Sequence, residues 1–149
     1  MSFLRIRETT SRWLARCAPP SPVLKPYPGW RLGAGERRSG RLSTGLRRQL
    51  WYAVGAPVLT PWIDSLRVYA YPGNEISRAI FITGYYEPNE FFLLDQVMRP
   101  GMIFVDAGAN MGLYTLFASR KVGDKGTVLA IEPSTRECDR LLKNVQANS

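Results

Sequence analysis

Between Met102 and Val145 the apolar residues change period from strand to helix, back to strand, and again to helix. Met102 to Val105 is an unbroken apolar run between Pro100-Gly101 and Asp106, the pattern of a strand buried on both faces of a parallel sheet. Ala107 to Gly112 is small and punctuated by glycine. Leu113, Tyr114, Leu116, Phe117 and Ala118 then recur at three- and four-residue spacing, which predicts a helix with a wide apolar face. Lys121 to Gly126 is a polar turn, and Thr127 to Ile131 is β-branched and apolar. It reads as a second strand, parallel to the first through a crossover helix. Ser134 and Glu137 have capping-box spacing behind Pro133, so a further helix starts there. Its stripe of Cys138, Leu141, Leu142 and Val145 is assigned to the sheet, with Arg136, Arg140 and Lys143 facing water.

Upstream the pattern is weaker. Leu46 to Val54 predicts a short helix ended by Gly55 and Pro57. Leu66 to Tyr71 and Ile76 to Thr83 alternate, and Pro72-Gly73-Asn74-Glu75 is a turn signal between them, so a β-hairpin is expected. Asn89 to Met98 follows as a helix with Phe91, Leu94, Val97 and Met98 on one side. Phe3 to Cys17 mixes apolar residues with four arginines, and a partly ordered tail is preferred over a short basic amphipathic helix. Pro19, Pro20, Pro22, Pro26 and Pro28 read as an extended linker, continued by glycine, serine and arginine to Gly45. The domain reading is therefore an arm at 1–45, a helix, hairpin and lead-in helix at 46–100, and an α/β unit from 101 to 149.

Charge separates these parts. Residues 1–50 carry ten arginines and Lys25 against Glu8 and Glu36, a net of +9, while residues 51–149 have a net of −1. The basic character belongs to the arm. Arg37-Arg38, Arg41 and Arg47-Arg48 are a loose cluster suited to RNA or acidic lipid, but no RNA-binding module accompanies it, so solvated arginines are the preferred reading. With no histidine and only Cys17 and Cys138, far apart, neither a zinc site nor a structural disulfide is expected. No run approaches the roughly 18 to 20 apolar residues of a membrane helix. Nor does the N-terminus carry a secretory apolar core, which leaves the cytoplasm as the default location.

The glycine turn invites comparison with a dinucleotide site, where helix N-termini cradle pyrophosphate. A G-x-G-x-x-G series from Gly108 would need glycine at Asn110 and Leu113, and Asp106 would repel phosphate. A carboxylate at that strand end suits a ligand carrying an ammonium and a sulfonium, as S-adenosylmethionine does. Glu132 ends the second strand 26 positions later, where an acid accepts hydrogen bonds from ribose hydroxyls.

Asp106-Ala107-Gly108-Ala109-Asn110-Met111-Gly112, with Ala130-Ile131-Glu132-Pro133 on the next strand, resembles the cofactor-binding start of the FkbM family of S-adenosylmethionine-dependent methyltransferases. The likeness runs from around Gly73 to Ser149 and takes in Gly84-Tyr85-Tyr86-Glu87-Pro88. It implies a Rossmann-like class I methyltransferase fold, a mostly parallel seven-stranded sheet with helices on both faces. The chain would hold its first two strands, truncated after the second core strand and its helix, behind the hairpin and the basic arm. One edge of the core would lack a partner, and the isolated chain is expected to be molten and inactive.

The implied activity is O-methylation of a small metabolite or glycan, the acceptor hydroxyl displacing the thioether. Gly108 and Ala109 would form the cofactor loop, Asn110 would offer polar contacts, Asp106 would favour the cationic end and Glu132 the ribose. Gly112 would serve close helix packing. Glu87 either closes over the methionine end or is a solvated turn carboxylate. No residue qualifies as the general base, and no metal is implied. The alternatives are a nucleic-acid methyltransferase led by the arm and a non-catalytic remnant.

Overall fold

The computed structural model describes residues 2–6 and 44–148. The proline-rich linker, Cys17 and the arginines at 37, 38 and 41 lie outside them. The described residues form an α/β arrangement of five α-helices and two small sheets. In chain order these are β1 (Ser2–Ile6), α1 (Thr44–Ala53), β2 (Val58–Pro61), a single 3-10 turn (Ile63–Ser65), β3 (Arg67–Ala70), α2 (Glu75–Thr83), α3 (Pro88–Val97), β4 (Ile103–Ala107), α4 (Leu113–Val122), β5 (Thr127–Glu132) and α5 (Thr135–Gln146).

The expected strand–helix–strand unit is present, with β4 and β5 parallel and Asp106 level with Ala130. Its surroundings differ from expectation in two ways. β1 runs antiparallel along the other edge of β5, pairing Ser2 with Glu132 and Ile6 with Val128, so the sheet order is β1-β5-β4 and the start of the arm is a strand. The helices cover one face only. Val128 and Ala130 are buried under α4 and α5, whereas Ile103 is 77% and Val105 53% exposed on the opposite face. Strand β4 is therefore not buried on both sides among the described residues, although its apolar run reads that way.

The expected hairpin is also overturned. β3 pairs with β2, which precedes it, and the segment after the turn is helix α2. The β-branched Ile76, Ile80, Ile82 and Thr83 favour a strand only weakly, because that propensity is mostly context. Local hydrogen bonding decides: the Asn74 side chain accepts from the Ser77 N–H as an N-cap, and Gly84 closes the helix in the left-handed conformation at φ 85°. Ile80 is then buried in the core.

That core is organised by Phe91 of α3, fully buried. Its ring stacks on Tyr114 at 4.6 Å and meets Trp62 and Phe117 edge-on, both at 5.1 Å. Leu94 and Met98 pack beside it, while Val97, assigned to the same side, is half exposed. Behind it Asp64, in a left-handed turn at φ 51°, lies 3.6 Å from the Lys121 ammonium, which also pairs with Asp95. Burial raises the Asp64 carboxyl, opposed by Lys121 and Arg120.

Helix α5 packs on a stripe rotated from the one its apolar residues suggest, keeping Leu141 and Val145 against the core as expected but turning Leu142 outward. Leu141, Asn144, Glu137 and Asn148 are buried, Cys138 and Val145 are only half-buried, and Leu142 is exposed. Arg140 is not a solvated residue either, since its guanidinium sits 4.3 Å over the Tyr71 ring. The asparagines explain the rotation. Asn144 accepts from the Tyr69 N–H and donates to the Met111 carbonyl, and Asn148 accepts from the Arg67 N–H and donates back to its carbonyl. Two amide side chains thus stand in for a strand along the outer edge of β3. Asn144→Ala and Asn144→Leu are both expected to cost about 2 kcal/mol in chemical denaturation, because each leaves the part-buried Tyr69 N–H and the buried Met111 carbonyl unpaired. Phe91→Ala is expected to cost about 3 to 5 kcal/mol in the same measurement.

Candidate functional site

The glycine turn begins where the parallel ladder runs out. Gly108 and Ala109 both donate their N–H to the Ile131 carbonyl, at 2.8 and 3.1 Å, and this extends the β4–β5 pairing past the end of β4. The chain then reverses through Asn110, at φ 50°, whose side-chain oxygen accepts from the Met111 N–H at 2.7 Å. Asparagine tolerates this left-handed backbone because its short amide can bond locally. Gly112 starts α4 at φ 88°, and a Cβ there would lie 2.8 Å from the Leu141 Cγ. Gly112 accordingly brings α4 and α5 together, as expected of it. At Gly108 a Cβ would meet nothing within 4 Å, so the backbone there borders open space.

Both acids lie at the carboxyl ends of the parallel strands and are nearly buried, Asp106 at 7% and Glu132 at 9% exposure. One Glu132 oxygen accepts the Asn110 N–H at 2.7 Å and the other the Ser134 N–H at 2.8 Å. Glu132 therefore ties the glycine turn to the start of α5. Asp106 accepts the Thr115 hydroxyl at 2.5 Å, and the Thr115 backbone N–H also bonds to it. Gly112 has no side chain to cap α4, and Asp106 reaches across from the strand to do so. Burial raises the Asp106 carboxyl above its ordinary value, the Thr115 bonds oppose the rise, and the nearby Glu132 charge adds to it. Among the described residues neither acid forms an ion pair.

Of the expected site residues, Asp106, Gly108, Asn110 and Glu132 gather at these strand ends. Ala109 contributes backbone only, its methyl being buried with Ala130 and Leu141. Glu87 stands apart at the start of α3, in a left-handed conformation at φ 45°, and accepts the Tyr114 hydroxyl at 2.6 Å. It is not a freely solvated turn carboxylate. Its bonding raises the Tyr114 and Tyr86 phenols, though burial is the larger cause in each. Thr115 and Tyr114 had no place in the sequence-based site. A hydroxyl on a helical face otherwise made of Leu116, Phe117 and Ala118 is the signal that would have found Thr115.

A cavity of about 420 Å³ lies elsewhere, between α1 and the turn before α2, lined by Trp51, Tyr52, Pro72, Glu75 and Arg78 among others. None of its walls comes from the glycine turn. No group of three or more acids, cysteines or histidines is placed to hold a metal among the described residues, and none of their helices is long and apolar enough to cross a membrane.

Gly112→Ala should be markedly more destabilising than Gly108→Ala in thermal melts, since only the first adds a clash to the strain both share. No protein-family model, no curated protein and no solved structure matches this chain.

Proposed function

We propose that the β4–α4–β5 unit binds S-adenosylmethionine as the cofactor half of a class I methyltransferase of FkbM type, acting on a hydroxyl of a small metabolite or glycan. One observation carries the reading: two nearly buried carboxylates, without cationic partners among the described residues, stand at adjacent parallel strand ends, beside a glycine whose backbone borders open space. The first βα turn at the carboxyl ends of parallel strands is where α/β sheets receive nucleosides.

The residues present fit such a ligand. Asp106 would face its cationic end, where an added positive charge offsets the cost of keeping a buried carboxylate ionised. Glu132 would take the ribose hydroxyls. Its oxygens are held by two backbone N–H groups, and each retains a second lone pair for an incoming O–H. Asn110 and Gly108 would border the ligand through backbone and amide contacts, while Glu87, which stands apart and is bonded to Tyr114, is given no contact with it. When bound, the cofactor supplies a methyl group activated on sulfonium sulfur. The chain's own part is to orient it and exclude water, an alignment worth roughly 7 to 11 kcal/mol of barrier in well-oriented systems. No general base is assigned.

Titration calorimetry of S-adenosylhomocysteine into the chain tests the reading. Saturable binding is expected, lost in Asp106→Ala, and weakened by about 1 to 3 kcal/mol in Glu132→Ala. Absence of binding to the unsubstituted chain would remove the proposal.

The raised Asp106 carboxyl also sets a pH dependence. Its neutral form is favoured by the fold, so its stabilising contribution is complete below the ordinary aspartate value, about 4, and is lost as pH rises above it. Binding of a cation has the opposite slope, because it needs the carboxylate. Affinity for S-adenosylmethionine should therefore rise from about pH 4 toward neutrality. Asp106→Asn should flatten that rise while raising the melting temperature at neutral pH.

A further inference from the structure

We propose that Thr115 is a positioning residue of this site, holding the Asp106 carboxyl in one orientation, by donation to Oδ2, for a cationic ligand at the end of β4. The inference rests on the cofactor reading above and adds a residue that it did not include.

Thr115 lies in the first turn of α4, entirely buried, and its hydroxyl hydrogen is directed at Asp106 Oδ2 over 2.5 Å. A buried hydroxyl beside an acid can serve two purposes. As a packing group it would need only volume. As a donor it stabilises the charged form and blocks rotation of the carboxyl plane. The second role matters here because the surroundings otherwise oppose ionisation: burial and the Glu132 charge both disfavour a second anion, and Thr115 is the side chain that favours it. Among the described residues the groups acting on Asp106 come from two elements, Thr115 from α4 and Glu132 from β5, and no cation is among them. The helix itself contributes through the Thr115 backbone N–H, which no side-chain replacement removes. The hydroxyl is the part that substitution can isolate.

The adjacent Tyr114 hydroxyl is spent on Glu87 and not on Asp106. Consecutive residues of one helical turn thus hold two acids that arrive from different elements. Of these, only Asp106 stands at the carboxyl end of a parallel strand.

The test uses the full chain labelled with carbon-13 in its aspartate carboxyls. In Thr115→Val, which keeps the volume and removes the donor, the Asp106 titration should move to higher pH, and Thr115→Ser should return it. Affinity for S-adenosylmethionine, measured by calorimetry within the titration range, should fall about tenfold in Thr115→Val. Its pH dependence should shift in step. If Thr115→Val does not fold, Thr115→Cys, a weaker donor of similar size, takes its place with the same expected direction. An unmoved Asp106 titration in a folded variant overturns the inference, as does a moved titration with unchanged affinity and pH profile. Failure of the unsubstituted chain to bind S-adenosylmethionine overturns the cofactor reading and this inference together. That outcome is distinguishable because it appears before any substitution is made.

Discussion

Parallel strands end with backbone groups that the ladder can no longer pair, and in this chain a single carboxylate takes two of them. Glu132 receives the Asn110 N–H from the turn after β4 and the Ser134 N–H from the turn after β5. Charge-assisted bonds of this kind are stronger than neutral ones, and a nearly buried carboxylate without them would be costly. The path of the glycine turn, the entry of α4 at Gly112 and the start of α5 at Ser134 all follow from where that side chain sits. Asp106 repeats the device on the first turn of α4. The two acids are structural members of the turn before they are anything else.

This dual employment bears on the proposed chemistry. A site whose acids only awaited a ligand would have to order them on binding. Here the ordering is built into the fold through Asn110, Ser134 and Thr115, and the ligand would meet acceptors already aimed. Fixing them in advance keeps Asp106 buried and within reach of the Glu132 charge, and burial first and that charge second raise its carboxyl. Binding that uses preformed polar groups loses less to side-chain ordering.

How much of this was legible in the sequence depended on the kind of signal. The β4–α4–β5 unit could be read because its periods are long and its glycines sit where the backbone needs positive φ, at Gly108 and Gly112. The Ser134 cap can be read because it is local, but only half of the capping box forms: Ser134 accepts the Glu137 N–H, while its own N–H goes to Glu132 and the Glu137 carboxylate to Arg136 and Arg140. The false hairpin came from giving β-branched composition at Ile76 to Thr83 more weight than the Asn74 cap and the Gly84 stop that bracket it. The buried face of α5 is not legible in the sequence, because apolar pattern alone cannot show a polar face wanted by a strand edge. Asn144 and Asn148 look like surface residues until β3 is placed against them. In the site, Asp106 and Glu132 stood out by position, whereas Thr115 and Tyr114 did not, since the partners that give them meaning come from other elements. The pairing of β1 with β5 joins positions more than a hundred residues apart and has no local signature.

The asparagine ladder changes what the outer edge of β3 is. A terminal strand ordinarily exposes alternate amides that exchange freely with solvent and can recruit another strand. On β3 the outward N–H groups of Arg67 and Tyr69 are already occupied, by Asn148 just past α5 and by Asn144 within it, so these two amides are paired as they would be in an interior strand. The α5 segment and the small β2–β3 sheet are thereby tied together, and these two N–H groups are closed to chain-to-chain pairing without a strand being added.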